Sequence, residues 1–485
     1  MTLAEMLARE PAIALTSGET GAELAGLTAD SRAVAPGFLF AALPGVRADG
    51  RGFIAEAVAR GAAAVLAPEG TEWPPGVPPR PLLTAADPRR AFARMAAAHY
   101  GLQPACIVAI TGTNGKTSTA EFLRQIWALD GGGPAASLGT LGLTRDGVSS
   151  GPGLTTPDPV ALHAMLARLA RDGVGRLAME ASSHGLDQRR LDGVRLHAAG
   201  FSNLTRDHLD YHHDLAGYRA AKLRLFEVLL PPQAAVVANA DMDPVTLGAL
   251  AGIAARRQLR LLTVGEAGRD LRLLSAQPLP EGLALEIAAF GARHAVMLPL
   301  VGRFQADNAL LAAGLAAVTG GRDPLSALAR LTGVRGRMEL AARLPNGAAV
   351  YVDYAHTPDA LARLLAALRP HATGKLVAVF GAGGDRDPGK RPLMGAVVAA
   401  HADLAFITDD NPRGEDPALI RAAIRSACPE GIEIGDRARA IAEAMAALGP
   451  GDVLAVAGKG HEPGQTIAGV THPFDDVSVV RGLAG

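Results

Sequence analysis

The chain has 485 residues and a formal net charge of -1, with acidic and basic residues evenly mixed. At about 100 to 200 residues per domain, this length predicts about three domains. The balanced charge gives no overall field that would attract nucleic acid or an anionic membrane, so any anion must be bound at a local site.

The cysteines and the apolar stretches bear on where the protein works. Cys106 and Cys428 lie far apart in sequence, in a spacing that predicts neither a disulfide framework nor a zinc site. The first thirty residues include Glu5 and Glu10, and the sequence has no run of about 18 apolar residues. We therefore expect a cytoplasmic protein that is neither exported nor membrane-spanning. The sequence leaves the oligomeric state open, with a monomer as the expectation.

Lysine is scarce in this chain, and its positions form a pattern. It occurs only at residues 116, 222, 375, 390 and 459, so arginine supplies most of the positive charge. All but Lys375 lie in the motifs described below, which indicates positions that require an amine rather than a guanidinium. The alternative is that arginine richness reflects base composition and that the lysines have no special role.

The predicted elements fall into three stretches, which we take as domains over residues 1–100, 101–334 and 335–485. The first alternates strands with helices and has a proline-rich loop at 73–79. The second begins at Ile107 with strands and amphipathic helices in the pattern of a doubly wound parallel sheet. The third repeats this pattern from Val350 onward. The expected fold class is α/β, with an N-terminal α/β domain, a central P-loop domain and a C-terminal Rossmann-like domain.

A phosphate-binding loop is predicted after the first strand of the central domain. The strand Ile107–Ile110 precedes a glycine turn, and Lys116 and Thr117 then begin a helix. Backbone N–H groups and the helix dipole face an anion here, Lys116 reaches the β- and γ-phosphates, and Thr117 can ligate Mg²⁺. The loop is shorter than the usual P-loop. The predicted cofactor-binding residues of this loop are Gly112, Thr113, Asn114, Gly115, Lys116, Thr117 and Ser118.

The loop sequence TGTNGKT at 111–117 resembles the Mur ligases and the folylpolyglutamate synthetases that share their fold. The resemblance implies an ATP-dependent ligase that uses Mg²⁺. Glu180 follows the strand at 177–179, where a metal ligand is expected beside a P-loop. The stretch at 201–212 resembles the Mur signature in which His208 is a second metal ligand, although a histidine-rich stretch alone is more often solvated surface.

Lys222 matches a family lysine that is carbamylated, which would make it a metal ligand together with Thr117, Glu180 and His208. Carbamylation requires a neutral amine, and among the basic residues only lysine reaches that state through a lowered pKa. The alternative is a lysine on a helix surface. The catalytic candidates in the chain are Lys116, Lys222, Glu180, His208 and His356, and the role of His356 is left open.

Four loops of the C-terminal domain follow successive strands, at the edge where ligands bind open α/β sheets. They begin at Asp353, Gly381, Asp409 and Gly458. Each alone could be a capped turn, with Asp353 and Asp410 as local backbone acceptors. Together the loops resemble the third domain of the Mur ligases that add the third peptide residue. The resemblance implies the substrate-binding residues Arg386, Asp410, Asn411, Pro412, Arg413, Gly458 and Glu462.

The stretch Asp410–Arg413, with the sequence DNPR, is the form that the resemblance associates with diaminopimelate. Lysine-adding relatives carry an asparagine near the arginine position. Diaminopimelate has one carboxylate more than lysine, and Arg413 can bind that group through two hydrogen bonds. Glu462 suits an ammonium group.

Three residues match family positions near the nucleotide, namely Asn308, Arg337 and Asp353. Asn308 resembles the asparagine that meets adenine, but Gln305 and Ala306 replace the usual Asn-Val of its motif. Arg335 likewise stands where a proline is usual before Arg337.

The remaining substrate residues come from the first two domains. Residues 27–45 resemble the uridine-binding domain of the same enzymes, in which the UDP pocket would be formed by Ala29, Ser31, Val46, Arg47 and Ala48. The muramoyl dipeptide would be held by Thr155, Thr156, Ser182, Gln188 and Arg190. The expected partners are the small molecules ATP, the UDP-linked muramoyl dipeptide and meso-diaminopimelate, with no nucleic acid.

The implied reaction transfers the γ-phosphate of ATP to the terminal carboxylate of the dipeptide, and the amine of diaminopimelate then attacks the acyl phosphate. Because nucleotide and amino acid are assigned to different domains, domain closure is expected to assemble the site. Three alternatives stay open at this point. They are a folylpolyglutamate-type ligase, a lysine-adding muramyl ligase, and a P-loop switch that hydrolyses nucleotide slowly without a covalent product.

Overall fold

The structure, a computed structural model, describes residues 1–45, 48–145, 148–149 and 154–485. It confirms the α/β fold class. The chain forms two compact units, the first made of Met1–Lys116, Leu123–Leu262 and Leu315–Gly321, and the second of Thr117–Phe122, Thr263–Gly314 and Arg322–Gly485. The division into three domains at residues 100 and 334 stays a prediction. No helix in the described part of the chain is long and apolar enough to cross a membrane.

The first hundred residues form a five-stranded sheet with helices packed against it. The elements are α1 (Leu3–Arg9), β1 (Ala14–Ser17), β2 (Gly26–Thr28), β3 (Phe38–Ala41), α2 (Ile54–Ala59), β4 (Ala64–Pro68), β5 (Leu82–Ala85) and α3 (Pro88–Tyr100). The strand order is β1-β5-β4-β3-β2. Only β1 is antiparallel to its neighbour among these described strands.

The next stretch contains the parallel sheet that the sequence predicts. Its elements are β6 (Cys106–Thr111), α4 (Lys116–Leu129), β7 (Ala135–Gly139), β8 (Gly142–Arg145), β9 (Val148–Ser149), α5 (Pro159–Arg171), β10 (Arg176–Glu180), α6 (Ser183–Asp187), β11 (Ala198–Phe201), α7 (Leu209–His212), α8 (Leu215–Arg224), β12 (Ala235–Asn239), α9 (Pro244–Arg257) and β13 (Arg260–Gly265). Strand β6 lies between β10 and β11, parallel to both. Glu180 is opposite Ile110 in this register, so both strands end at the same edge.

The remaining elements form an antiparallel meander and a second, mostly parallel sheet. The elements up to residue 330 are β14 (Leu271–Leu279), β15 (Gly282–Ala289), β16 (Ala292–Leu298), α10 (Arg303–Val318) and α11 (Pro324–Ala327). Those after it are β17 (Glu339–Arg343), β18 (Ala349–Asp353), α12 (Pro358–Leu368), β19 (Leu376–Phe380), α13 (Lys390–His401), β20 (Leu404–Ile407), α14 (Pro417–Arg425), β21 (Ile432–Glu433), α15 (Arg437–Ala446), β22 (Val453–Ala457), β23 (Gly464–Ile467), β24 (Val470–Pro473) and α16 (Asp476–Ala484).

The sheet of this second unit runs in the order β17-β18-β22-β19-β20-β21. Strands β18, β22, β19 and β20 are neighbours and parallel, so their carboxyl ends meet at one edge. The four loops that the sequence places after these strands therefore lie on the same side of the sheet. Strands β23 and β24 form a separate antiparallel hairpin.

Local sequence signals explain why these elements begin and end where they do. The central strands are rich in Val, Ile, Leu and Ala and are buried on both faces, as covered parallel strands require. Helix α5 begins with a cap, since the Asp158 carboxylate accepts from Val160 N at 3.0 Å and Pro159 occupies the first turn. Thr357 and Pro358 begin α12 in the same way.

A fully buried ion pair ties the last two helices to strand β22. The Arg437 guanidinium donates to both Asp476 oxygens, at 2.7 Å each, and to Ala457 O at 3.0 Å. Both charged side chains are 0% exposed. Because Ala457 is the last residue of β22, this pair fixes the backbone directly ahead of the loop at Gly458.

Removing one partner of this buried pair should strongly destabilise the second unit. We expect Arg437→Met to lower the free energy of unfolding by about 3 to 5 kcal/mol, because Asp476 would keep a buried, uncompensated charge. The matched control is Arg439→Met on the same helix, whose pair with Glu443 is exposed and should contribute less than about 1 kcal/mol. Calorimetric melting of the three proteins measures both effects, and equal shifts for the two variants would contradict the prediction.

Candidate active site

The predicted phosphate loop connects β6 to α4 and is fixed against the end of β11. Thr113 N donates to Asn203 O at 2.8 Å, and Asn114 N donates to Asn203 Oδ1 at 3.0 Å. Gly112 has a φ of +145°, and a Cβ there would lie 1.9 Å from Ser202 Oγ. Glycine is therefore required at this position for both conformation and space. Asn203 lies within the stretch quoted above, but sequence reasoning did not assign it this supporting role.

Two lysines converge on one carbonyl of this loop. Lys116 Nζ donates to Gly112 O at 3.0 Å and to Thr113 O at 2.8 Å. Lys222 Nζ, from α8, donates to the same Gly112 O at 2.7 Å. Lys222 is only 1% exposed, so the alternative of a helix-surface lysine is wrong. Burial, and then the charge of Lys116, hold the pKa of Lys222 well below its usual range.

Tyr218 links Lys222 to the loop and to the predicted metal ligand His208. Its ring lies 4.4 Å from Lys222 Nζ, and its hydroxyl donates to Thr113 Oγ1 at 3.3 Å. The His208 ring lies 6.1 Å from the Tyr218 ring and 5.1 Å from the His184 ring, measured between centroids. His208 has a φ of +52°, a left-handed conformation that is uncommon outside glycine. The structure thus brings both His208 and Lys222 next to the Tyr218 ring.

Glu180 is buried at the end of β10, beside the loop that follows β7. Its Oε1 accepts from Thr140 N at 2.8 Å, and its Oε2 accepts from Thr140 Oγ1 at 3.3 Å. A Cβ on Gly139 would lie 1.9 Å from Glu180 Oε1, so glycine leaves room for the carboxylate. In the described part of the chain, no three His, Cys, Asp or Glu side chains form a group that could hold a metal. The predicted set includes two such side chains, together with Thr117 and a modified Lys222.

The residues predicted to hold the dipeptide form hydrogen-bonded contacts next to Glu180. Thr155 Oγ1 is 3.1 Å from Thr140 Oγ1, so the Thr140 hydroxyl connects Thr155 to the Glu180 carboxylate. Thr156 Oγ1 donates to Glu180 O at 3.1 Å and accepts from Ser182 N at 3.1 Å. The structure therefore brings three of the predicted dipeptide residues to the predicted metal ligand.

Arg190 and Gln188 extend this cluster. Arg190 donates to Thr156 O at 2.7 Å and, through NH2, to Gln188 Oε1 at 2.7 Å. Gln188 Nε2 in turn donates to the Tyr211 hydroxyl at 3.2 Å. The result is a partly buried arginine next to a row of threonine and serine hydroxyls, an arrangement suited to a carboxylate or phosphate ligand.

In the second unit, the loops after β20 and β22 meet through Asn411. Asn411 Nδ2 donates to Glu462 Oε2 at 3.0 Å, and Asn411 Oδ1 accepts from Lys459 Nζ at 3.1 Å. Lys459 is 0% exposed, and its ammonium lies 3.6 Å from Asp410 Oδ1. Burial lowers the pKa of Lys459, while the charge of Asp410 acts in the opposite direction. The sequence analysis did not assign Lys459 to this site, although the scarcity of lysine had indicated that its position requires an amine.

Arg413 lies between these loops and the loop after β19. Its φ is +53°, and its NH1 donates to Gly384 O at 2.8 Å. A Cβ on Gly383 would lie 2.7 Å from that NH1, so the glycine makes room for the guanidinium. Arg413 is only partly exposed, while Arg386, also predicted to bind the amino acid, is exposed. The predicted site residue Pro412 is buried, and Gly458 faces the Asp410 carboxylate.

The predicted nucleotide residues Arg337 and Asp353 lie at the same sheet edge. The Arg337 guanidinium is 5.0 Å from the centre of the Tyr354 ring, a cation–π distance. Asp353 accepts from Met338 N and Ala355 N at 2.8 Å each, which confirms the capped-turn alternative for this residue. Asp410 behaves differently, because no protein donor lies within hydrogen-bond distance of its buried Oδ1 in the described chain.

The other predicted residues lie in separate environments. His356 Nδ1 is 2.8 Å from Tyr354 O, and Lys390 Nζ donates to His356 O at 3.0 Å. Asn308 is buried and donates to Gln305 Oε1 at 3.1 Å.

In the N-terminal sheet, Ser31 Oγ donates to Glu56 Oε2 at 2.9 Å, and Ala29 and Ala48 are exposed. Gly45 N donates to Ala48 O at 2.9 Å. The predicted pocket residues Val46 and Arg47 lie outside the described residues.

Three features are typical of a nucleotide-using α/β enzyme: a short P-loop on a parallel sheet, a buried lysine at its first glycine, and polar loops along the carboxyl edge of a second parallel sheet. Comparison with known families supports this class. Family models match residues 23–100 (Mur ligase family, catalytic domain), 110–316 (Mur ligase middle domain) and 336–460 (Mur ligase, glutamate ligase domain). The chain belongs to the Mur ligase family, a family of ATP-dependent ligases that form amide bonds.

Individual relatives agree with this placement. A curated protein of Caulobacter vibrioides named UDP-N-acetylmuramoyl-L-alanyl-D-glutamate--2,6-diaminopimelate ligase is 56% identical over 94% of each chain. A solved structure described by the same name is 33% identical, with a TM-score of 0.74 and coverage of 100% of this chain and 98% of that one. A folylpolyglutamate synthase of Mycobacterium tuberculosis is 20% identical, with a TM-score of 0.59 over 76% of this chain and 92% of that one, which shows a shared fold only.

The requirement for glycine at 112 can be tested by nucleotide binding. We expect Gly112→Ala to weaken binding of a fluorescent ATP analogue by at least about tenfold, because the new methyl group meets Ser202 and the backbone is strained. Gly248→Ala is the matched control, since nothing lies within 4 Å of a Cβ there and α9 gains helix propensity. Unchanged affinity in Gly112→Ala would contradict the loop geometry.

Proposed function

We propose that this chain uses ATP to join meso-2,6-diaminopimelate to UDP-N-acetylmuramoyl-L-alanyl-D-glutamate, a step of peptidoglycan biosynthesis. The observation that carries the proposal is Arg413, held in a left-handed backbone conformation with its guanidinium directed by Gly384 O. It is supported by the name of the relative from Caulobacter vibrioides. We further propose that the enzyme works in the cytoplasm, where ATP is available, and as a monomer with three domains.

The phosphate loop would bind and orient the triphosphate. Lys116, which now donates to two loop carbonyls, would turn its ammonium toward the β- and γ-phosphates, while the N-terminal N–H groups of α4 face the same charge. Asn308, Arg337 and Asp353 are proposed to lie on the nucleotide, as predicted. Fixed donors around the phosphates stabilise the charge that develops in phosphoryl transfer.

The predicted metal ligands fit a magnesium ion by their chemistry. The oxygen and nitrogen ligands would come from the buried carboxylate of Glu180, the imidazole of His208, the Thr117 hydroxyl and a carbamylated Lys222. The bound ion would neutralise negative charge on the phosphates during transfer.

Lys222 is suited to become the carbamate. Its enclosed position disfavours an ammonium, so the neutral amine can add its electron pair to the carbon of CO₂. A C–N bond forms while one C=O π bond of CO₂ breaks and its electron pair moves to oxygen. Water takes up the proton that leaves the nitrogen, and the product is a carbamate anion. A buried neutral amine is thereby replaced by an anion that can bind a metal ion.

The acceptor carboxylate would lie near the hydroxyl cluster beside Glu180. A carboxylate is a poor electrophile, so phosphorylation gives it a leaving group and forms the acyl phosphate. Arg190, with Gln188, Thr155, Thr156 and Ser182, is proposed to bind and orient the muramoyl dipeptide. Ala29 and Ser31, with the stretch Val46, Arg47 and Ala48, are proposed to bind its uridine end.

The amino-acid site would use opposite charges at its two ends. Glu462, held by Asn411, is proposed to bind an ammonium group, and Arg413 to bind the distal carboxylate through two hydrogen bonds. Arg386 and Gly458 are proposed to make further contacts, and His356 to position groups nearby. A neutral side chain in place of Arg413 would leave the distal carboxylate without compensation for its lost hydration.

The overall reaction is tested by incubating the protein with ATP, Mg²⁺, the UDP-linked dipeptide and each candidate amino acid. We expect product only with diaminopimelate, together with ADP and phosphate. A folylpolyglutamate-type ligase would instead need a folate acceptor, and a P-loop switch would release phosphate slowly without any amino acid.

Lys222 should tolerate neither loss of its amine nor replacement by arginine. We expect Lys222→Ala and Lys222→Arg each to lower kcat by at least about 100-fold, because neither can form a carbamate and a metal ligand is lost. The matched control is Lys375→Arg, an exposed lysine, which should keep full activity. Full activity of Lys222→Arg, together with no response of Lys222→Ala to added bicarbonate, would rule out the carbamate.

Arg413 should decide which diamine is used. We expect Arg413→Asn to reduce the preference for diaminopimelate over lysine, measured as a ratio of kcat/KM, by at least about tenfold, because the charged hydrogen bonds to the distal carboxylate are lost. Arg425→Asn, at an exposed arginine of α14, serves as the control and should leave the ratio unchanged. An unaltered ratio in Arg413→Asn would remove the basis for this substrate.

A further inference from the structure

The loop at residues 409–413 is held by one stretch of chain, residues 459–468, which we call the clamp segment. Two donors of the clamp segment converge on Asn411 Oδ1, namely Lys459 Nζ at 3.1 Å and Thr466 N at 3.0 Å. With its oxygen fixed in this way, the Asn411 amide must direct its NH₂ group to the other side, where Glu462 Oε2 accepts at 3.0 Å. A flipped amide would instead bring its oxygen against the Glu462 carboxylate.

The clamp segment also fixes the backbone of Arg413. Arg413 N donates to Thr466 O at 2.9 Å, and Ala468 N donates to Arg413 O at 2.7 Å. A left-handed conformation at a non-glycine residue persists only where the surroundings hold it in place, and these two hydrogen bonds do so.

The charge of Lys459 is enclosed rather than solvated. Its side chain is 0% exposed and has Asp410 as its ion-pair partner at 3.6 Å. A buried ammonium that is paired with a carboxylate and bonded to an amide oxygen is expected to have a fixed orientation. A compact ammonium on a flexible stem suits such an enclosed position, whereas a planar guanidinium requires more room. The retention of lysine here, in a chain that otherwise uses arginine, has a physical reason.

We infer that Lys459 is a positioning residue for amino-acid recognition, which acts by fixing the Asn411 amide and, through it, the Glu462 carboxylate. The rest of the clamp segment fixes the Arg413 backbone, so both ends of the incoming amino acid meet groups held by the same stretch of chain. The inference rests on the proposed function, in which Glu462 binds the ammonium group and Arg413 the distal carboxylate.

The first test is Lys459→Met in the full-length protein, which preserves side-chain length and removes the donor and the charge. We expect the KM for diaminopimelate to rise by about tenfold or more, and the KM for ATP to stay within about twofold. Lys375→Met, at the exposed lysine outside the motifs, is the matched control and should change neither value. An unchanged KM for diaminopimelate in Lys459→Met would overturn the inference.

A double-mutant cycle separates positioning through Asn411 from a general structural role. If Lys459 acts through Asn411, then Lys459→Met should change the KM for diaminopimelate by less than about twofold when introduced into Asn411→Ala. Effects of the two substitutions that simply multiply would show that Lys459 acts independently of Asn411, and would also overturn the inference.

Two further measurements keep the outcome clear. If melting shows that Lys459→Met does not fold, the same kinetics are measured on Lys459→Met combined with Asp410→Asn, which leaves no uncompensated buried charge. The KM of the double variant for diaminopimelate is compared with that of Asp410→Asn alone. An equal KM in the two variants would overturn the inference. Failure of the unsubstituted protein to ligate diaminopimelate would reject the proposed function itself, whereas an active protein with an unaffected Lys459→Met variant would reject this inference alone.

Discussion

The sharing of one carbonyl oxygen by two lysines is the constraint around which the first unit is organised. Gly112 O accepts from both Lys116 and Lys222, and the second amine is almost fully enclosed. Burial disfavours the charged form of Lys222, and the nearby ammonium of Lys116 repels it further. The pKa of Lys222 is therefore lowered, which favours the neutral amine. The same arrangement is what the proposed roles require, with Lys116 as the cation for the phosphates and Lys222 as the amine that becomes a carbamate.

The second unit handles buried charge by pairing. Arg437 with Asp476, and Lys459 with Asp410, are enclosed pairs close to the loops after β20 and β22. Because these charges compensate each other within the protein, they hold the loops in place rather than compete for ligand. Arg413 and Glu462, which are more exposed, and the exposed Arg386 are the charges proposed to meet a substrate. The contrast between enclosed pairs and open single charges separates structural groups from the proposed recognition groups at this sheet edge.

The local sequence was sufficient to predict those elements that are specified by residues adjacent in the chain. The strand, glycine turn and Lys116-Thr117 pair predicted the phosphate loop, and the strand-then-loop pattern predicted four loops on one sheet. Contacts between distant segments were not predictable in this way. Three such features depend on residues brought together from separate strands. They are the capped turn at Asp353, the Asn411 amide between Lys459 and Glu462, and the support of the phosphate loop by Asn203.

The sequence by itself determined the fold class, the phosphate loop, the family and the set of residues from which a site could be built, because each is encoded in a short pattern. The tertiary structure decided which of those residues meet. It placed Lys222 inside the protein against Gly112 O, gave Arg413 a left-handed backbone, and enclosed Lys459 beside Asp410. Burial and the sign of nearby charge set the protonation and orientation of these groups, and both depend on strand order and register, which no local pattern encodes.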